Sequence, residues 1–182
     1  MNYPTRALIH GTNYPICTDY RVALECFRII EDEEISDRER ALAIIYKLFG
    51  IIPDQIEDIQ EMIRIAQLYL GCGESQNIQN QRKRDMDFEY DWKFIVASYM
   101  SDYGIDLNQC NMHWYQFINL MQGLTETTIL SRVREIRNYD LSQIKDVKTK
   151  NKMIKAQKSV ELPQKYTQLE QEVIDEFESL FE

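Results

Sequence analysis

The chain has 182 residues, 44% of them hydrophobic, and a formal net charge of −9 at pH 7. This apolar content is sufficient for a packed core and excludes general disorder. The acidic balance disfavours nucleic acid and anionic membranes as partners, because both attract a basic surface. No apolar run approaches the roughly 20 residues that span a bilayer. Residues 1–6 also lack the apolar core of a signal peptide, so we expect a cytoplasmic protein with no membrane partner.

The N-terminal residues have the pattern of a β-hairpin. Residues 6–10 form an apolar first strand, and residues 14–18 form the return strand. The Gly-Thr-Asn sequence at 11–13 provides the turn between them, since glycine and asparagine tolerate positive φ. Pro15 cannot donate to a strand ladder, so the return strand should lie at a sheet edge.

Two amphipathic helices follow the hairpin. The first covers residues 20–30. Ser36 and Glu39 form a capping box that opens the second helix, and Gly50 closes it. The apolar positions that should face the core are Leu24, Phe27 and Ile30 in the first helix, and Leu42, Ile45, Leu48 and Phe49 in the second.

A third helix has Pro53 in its first turn and ends at Gly71. Its apolar stripe consists of Ile56, Ile59, Ile63, Ala66 and Leu70. Short connections favour an antiparallel bundle, so we predict a unit of hairpin and three helices over residues 1–71. Residues 72–87 lack apolar periodicity and indicate a linker or a long loop. Their basic triplet at 82–84 could touch nucleic acid, but such a triplet is more often a solvated part of a loop.

Residues 88–141 are predicted to form a second helical unit, which contains both tryptophans. Asp87 suits the N-cap of its first helix and Gly104 the left-handed C-cap, while Gly123 caps its second helix. The apolar faces consist of Trp92, Ile95, Val96, Tyr99, Met100 and Tyr103 in the first helix, and of Trp114, Phe117, Ile118 and Met121 in the second. These faces should pack together as a helical hairpin, with both tryptophans in the core.

The C-terminal part of the chain combines segments of opposite charge. A helix at 129–137 should direct Leu130, Val133 and Ile136 toward the core. Within residues 142–182, a basic helix at 145–158 precedes Pro163 and an acidic amphipathic segment. The apolar stripe of this acidic segment is the candidate partner-binding site, and it consists of Tyr166, Leu169, Val173, Phe177, Leu180 and Phe181. The opposite charges could let the two segments pair within one chain or between chains.

No sequence pattern indicates a catalytic, cofactor or metal site. There is no glycine-rich phosphate loop after a strand and no nucleophile elbow. His113 beside Trp114 could act as a general base, but a single histidine on an aromatic helix is usually structural. A metal site at Cys110 and His113 would need two distant further ligands, whereas structural zinc sites normally show two close ligand pairs. We expect reduced thiols, no cofactor and no enzymatic activity.

Several short motifs follow one another in a fixed order through residues 3–158. They are Gly11-x-x-Tyr14-Pro15-Ile16-x-Thr18-Asp19-Tyr20-Arg21, Asp91-Trp92, Ser98-Tyr99, Tyr103-Gly104-Ile105-Asp106-Leu107, His113-Trp114-Tyr115-Gln116-Phe117, Leu120, Gly123-Leu124, Ile136-Arg137 and Asp140-Leu141. In this order and spacing they resemble the bacteriophage gene-product-fifteen family, small proteins of tailed phages and prophages of Gram-positive bacteria. Tyr115 departs from the family pattern, which has a second tryptophan there.

The resemblance implies a role in tail morphogenesis, as a tail assembly chaperone. Such a protein coats the long, helical, aggregation-prone tape measure protein, self-associates, and gives way to tail-tube subunits in the cytoplasm of the bacterial host. A holdase of this kind needs apolar surface for amphipathic helices and negative charge for solubility. The alternative is a structural virion protein, such as a tail completion or connector component. A nucleic-acid-binding regulator or an enzyme is the third possibility.

Overall fold

The computed structural model describes residues 2–73 and 84–163, which form a mainly helical fold with an N-terminal hairpin. This confirms the predicted fold class. The elements are β1 Arg6–Ile9, β2 Thr12–Pro15, α1 Tyr20–Glu31, α2 Asp37–Phe49, α3 Ile56–Leu70, α4 Trp92–Tyr103, α5 Trp114–Gln122, α6 Ile129–Asn138, a 3-10 turn at Leu141–Gln143, and α7 Val147–Ser159. Most of the predicted linker 72–87 lies outside the described residues. None of the described helices is both long and apolar enough to cross a membrane.

The hairpin turn lies earlier in the chain than predicted. Ile9 pairs with Thr12, so the turn consists of His10 and Gly11. Both turn residues have positive φ, 45° and 85°, as a two-residue turn of type I′ requires. The predicted turn at 11–13 was wrong because a β-branched threonine is strained at positive φ and continues the return strand instead. Alternate residues of β1 are buried, and the strand packs on α3.

Local capping chemistry sets the ends of α2 as predicted. The Ser36 hydroxyl accepts from the Glu39 N–H at 3.3 Å, and the Glu39 carboxylate accepts from the Ser36 N–H at 3.0 Å. Gly50 closes α2 in the left-handed conformation, with φ 73°. The prediction for Pro53 was wrong, since it precedes α3 rather than occupying its first turn. Gln55 is the N-cap and is extended (φ −84°, ψ 132°), so the helix begins only after it.

The start of α4 also differs from the prediction. Asp91 rather than Asp87 occupies the N-cap, and its side chain makes no capping bond. Asp87 instead closes the preceding turn, where its carboxylate accepts from the Glu89 and Tyr90 N–H groups at 2.7 Å. The Asp91 carboxylate is thereby left available for a partner on another helix.

Three residues predicted to face the core are exposed: Ile30 by 43%, Ile56 by 63% and Met100 by 47%. The first two lie at the end of α1 and at the start of α3, respectively. In α4, Ser98 is buried instead of Met100, and its hydroxyl accepts from the Leu130 N–H at 3.1 Å. This small side chain allows the start of α6 to approach α4 closely.

One core joins both halves of the chain. Trp114 of α5 is 1% exposed, and its indole N–H donates to the Leu70 carbonyl at the end of α3, at 3.1 Å. The Phe117 ring stacks on Tyr20 of α1 with centroids 4.9 Å apart. Trp92 is only half-buried beside this core. The division into units 1–71, 72–87, 88–141 and 142–182 stays a prediction.

Candidate partner-binding surfaces

The aromatic residues of α4 and α5 are directed into the protein rather than toward a partner. The Tyr99 hydroxyl donates to the Phe117 carbonyl, and the Tyr103 hydroxyl donates to the Leu120 carbonyl at 2.8 Å. The rings of Tyr99 and Phe117 also stack, with centroids 5.3 Å apart. Hydrogen bonds from one helix to the backbone of the other join α4 to α5, as the predicted helical hairpin requires.

His113 has a structural role at the start of α5. It is the N-cap, and its Nδ1 accepts from the Tyr115 N–H at 3.0 Å. Because Nδ1 accepts, the ring proton lies on Nε2, which is 3.0 Å from the Pro4 carbonyl and donates to it. The ring also stacks on Tyr3, with centroids 4.9 Å apart. Nδ1 therefore caps α5, while Nε2 and the stacked ring hold the N-terminal segment against it.

The cysteines do not form a reactive or metal-binding cluster in the described part of the chain. Cys26 is buried, and burial raises the pKa of its thiol to about 12, so it is protonated at neutral pH. Among the described residues, no three His, Cys, Asp or Glu side chains lie close enough together to hold a metal ion. Cys110 and His113 thus have no third ligand nearby within residues 2–73 and 84–163.

His10 links the hairpin turn to α3. Its Nδ1 lies 2.6 Å from the Asp58 carboxylate. This hydrogen bond raises the pKa of His10 above its ordinary value of 6.5, and the charges of Glu61 and Glu57 act in the same direction. The protonated imidazolium is therefore favoured in the folded state.

Asp58→Asn is expected to return the pKa of His10 toward 6.5, because it removes the charge that favours the imidazolium. In the wild type, the stabilisation from protonated His10 is fully present below about pH 6.5 and is lost as pH rises through the raised pKa. NMR titration of the His10 ring and urea unfolding at successive pH values measure both effects. Glu57→Gln is the control and should shift the pKa less, while an unchanged pKa in Asp58→Asn would contradict the assignment.

A buried ion pair joins α4 to α6. The Arg137 Nη1 donates to Asp91 Oδ2 at 2.6 Å, and its Nη2 donates to Oδ1 at 2.8 Å. The two side chains are only 6% and 0% exposed, respectively. The guanidinium also donates to the Asp85 carbonyl at 2.9 Å and to the Val160 carbonyl. One arginine thus joins α4, α6, the segment before α4 and the end of α7.

Sequence periodicity missed this pair, because it placed Ile136 rather than Arg137 on the inward face of α6. Ile136 is half-buried, whereas Arg137 is 8% exposed. The motifs Asp91-Trp92 and Ile136-Arg137 each contain one partner. Other motifs contain further charges, such as Asp19 and Asp140, so the sequence did not indicate which charges pair.

An apolar groove of about 670 Å³ lies between α1, α2 and α3. The apolar residues that define this α1–α3 groove are Ile30, Ile44, Ile63 and Leu68. Ile30 and Leu68 are 43% and 40% exposed. Arg40 and Arg64 also line the groove, and Arg64 is paired with Glu61 at 2.7 Å. An open apolar groove beside charged groups is the usual binding site for an amphipathic helix.

A second groove, of about 730 Å³, lies between α1 and the segment that precedes α4. Ion pairs join its two walls: Arg28 lies 3.4 Å from Glu89, and Arg84 lies 3.6 Å from Glu31. Its walls are thus already linked to each other by charged side chains. The lining of the α1–α3 groove is mainly apolar, although Arg40 of α2 donates to the Ile29 carbonyl of α1 at 3.2 Å. This groove is therefore the better candidate for an apolar partner.

The partner-binding stripe predicted from the sequence lies outside the described residues. It consists of Tyr166, Leu169, Val173, Phe177, Leu180 and Phe181. The basic segment before it forms α7, whose lysines at 148, 152 and 155 are exposed. The stripe therefore stays a prediction.

Comparison with known proteins identifies a family for this chain. A family model described as Bacteriophage Gp15 protein matches residues 4–162. The match includes helices α4 and α5, the Asp91–Arg137 pair and the α1–α3 groove. It ends before the acidic segment that follows Pro163. No curated protein and no solved structure matches the chain.

Proposed function

The chain belongs to the bacteriophage Gp15 protein family, and from this premise we propose that it is a tail assembly chaperone that binds the tape measure protein. Family membership supports the broader role of a phage structural or morphogenesis protein. In the proposed role the protein acts without catalysis in the host cytoplasm, associates with further copies of itself, and is displaced by tail-tube subunits. The acidic net charge of −9 would help to keep the complex in solution.

The observation that carries this proposal is the α1–α3 groove. A tape measure protein is long and helical, so a chaperone must cover apolar helix faces that would otherwise aggregate. The groove offers Ile30 and Leu68 to such a face without rearrangement of the core, since both are already exposed by about two fifths. Contacts with half-exposed side chains bury little additional apolar area. The binding is therefore weak enough to favour release of the tape measure protein when the tail tube assembles.

Co-expression of the tape measure protein with and without this chain tests the proposal. We expect the tape measure protein to appear in the soluble fraction only when the chain is present. If the tape measure protein is equally soluble alone, the chaperone function is excluded. Mass spectrometry of purified virions distinguishes the chaperone from the alternative, a structural virion protein. A chaperone should be absent from virions, whereas a tail completion or connector protein should be present.

Leu68→Asp is expected to weaken binding of the tape measure protein by about tenfold or more, because a charge would enter the apolar contact. Leu8→Asp is the matched control, since Leu8 is 70% exposed on the hairpin and lies outside the groove. Pull-down with purified variants measures the affinity, and thermal unfolding checks that both variants are folded. Equal binding by Leu68→Asp and Leu8→Asp would exclude the groove as the binding site.

A further inference from the structure

Helix α7 contacts α6 and the 3-10 turn Leu141–Gln143. Met153 and Ala156 are half-buried there, and the Gln157 Nε2 donates to the carbonyls of Ile136 at 3.0 Å and Tyr139 at 2.8 Å. Within the part of the chain that the structure describes, α7 contributes no buried residue. Among residues 2–73 and 84–163, no element covers the exposed remainder of the α7 circumference, and this remainder forms an unpartnered face.

This unpartnered face is both apolar and basic. Val147 is 72% exposed and Ile154 is 43% exposed. They are seven positions apart, which is close to two helical turns, so they lie on the same side of α7. The lysines at 148, 152 and 155 are exposed beside them. Together these residues define the α7 face, which suits a helix with apolar and acidic residues.

The sequence that follows α7 has this complementary composition. Its apolar residues Tyr166, Leu169, Val173, Phe177 and Leu180 recur at spacings of three and four, which places them on one side of a helix. Its acidic residues are Glu170, Glu172, Asp175, Glu176, Glu178 and Glu182. The only basic residue in this stretch, from 164 to 182, is Lys165.

The connection between the two segments is short. Arg137 holds the Val160 carbonyl, so the chain leaves α7 from a fixed point. Residues 160–163 then form a connection of the length found in antiparallel helical hairpins. Pro163 suits the first turn of a new helix. As a helix, residues 164–182 would extend roughly 28 Å at 1.5 Å per residue, which is enough to cover the whole of α7.

We propose that residues 164–182 dock as an antiparallel helix on the α7 face of the same molecule. The short connection also sets the register. The pairs that lie opposite each other are Ile154 with Leu169, Val147 with Phe177, and Lys148 with Asp175. The apolar contacts hold the segment in place and the charges select its orientation. The α6 side of α7 is already occupied, so the α7 face is the side that remains.

This docking has a consequence for partner binding. The stripe from Tyr166 to Phe181 would be covered in the free protein, so a partner that binds this stripe must first displace it from α7. The inference does not rest on the proposed function, because it concerns contacts within a single chain.

Hydrogen–deuterium exchange of the full chain tests the docking. We expect amides between residues 166 and 180 to exchange about fivefold faster in Ile154→Gln than in the wild type, and faster still when Val147→Gln is added. Ile129→Gln is the matched control, because Ile129 is also 43% exposed but lies on α6. Equal exchange in the wild type and the double variant would overturn the proposal.

Two further measurements test the register and the choice of partner. Lys148→Glu should accelerate exchange in the same segment, and adding Asp175→Lys should restore slow exchange; no restoration would overturn the antiparallel register. Protection should also be independent of protein concentration from about 100 to about 1 µM, as expected for a contact within one molecule. Loss of protection on dilution would show that the segment binds a second copy, which overturns the intramolecular proposal.

Discussion

Arg137→Met is expected to lower the free energy of unfolding by about 3–5 kcal/mol. The substitution keeps much of the side-chain volume but leaves the Asp91 carboxylate, which is 0% exposed, without its counter-charge. It also removes the donor to the Asp85 and Val160 carbonyls. A loss of this size is a large part of a typical total of about 5–15 kcal/mol. Equilibrium unfolding in urea measures it.

Arg134→Met is the matched control for this prediction. Arg134 is on the same helix and pairs with Asp85, but the two side chains are 43% and 28% exposed. An ion pair so open to solvent should contribute less than about 1 kcal/mol. Adding Asp91→Asn to Arg137→Met should recover part of the lost stability, because the buried charge is then removed. If both arginine variants lose the same stability, burial of the Asp91–Arg137 pair has no energetic consequence and the prediction is wrong.

Trp114→Ala should destabilise the fold by about 3–5 kcal/mol through the cavity that it leaves. The indole is 1% exposed and packs on Phe27 and Phe117, with ring centroids 5.6 and 5.7 Å away. The variant also leaves the Leu70 carbonyl without its donor. Urea unfolding measures the loss, and the fluorescence of Trp92 remains as the reporter.

Two substitutions test whether packing is the cause. Trp92→Ala should lower the free energy of unfolding by less than Trp114→Ala does. Trp92 is half-buried, and its ring stacks on Tyr20 at the longer centroid distance of 6.4 Å. Trp114→Phe should retain more of the stability than Trp114→Ala, since it keeps a ring in the core and loses the indole hydrogen bond and only part of the packed volume. A smaller loss for Trp114→Ala than for Trp92→Ala would contradict the central position of Trp114.

Most features that depend on neighbouring residues were predicted well, apart from the hairpin turn and the starts of α3 and α4. The capping box of Ser36 and Glu39 formed as expected, and Gly104 ends α4 in the left-handed conformation with φ 64°. Such signals are readable because cap and turn chemistry involves residues within one helical turn. The error at the hairpin turn was also local, because the prediction placed the turn only one or two residues too late, at 11–13 instead of His10 and Gly11.

Several features that depend on distant residues were not predicted. Ile30 and Met100 fit the apolar period of their helices but are exposed, because periodicity does not state what covers a helix face. Arg137 is buried because Asp91, 46 residues earlier in the chain, neutralises it. A charged residue without a known partner is expected at the protein surface. Arg137 is buried only because an oppositely charged residue on another helix pairs with it.

By itself, the sequence determined the helical class, the hairpin, most helix ends and the family of this protein, because caps, periodicity and motif order are local or linear properties. Only the tertiary structure decided which apolar residues remain open to a partner. In the α1–α3 groove, Ile30 and Leu68 remain partly uncovered between the three helices. Within the described residues, α7 has an exposed face because α6 and the 3-10 turn cover only part of its circumference. Both surfaces result from the arrangement of helices, which no single helix encodes.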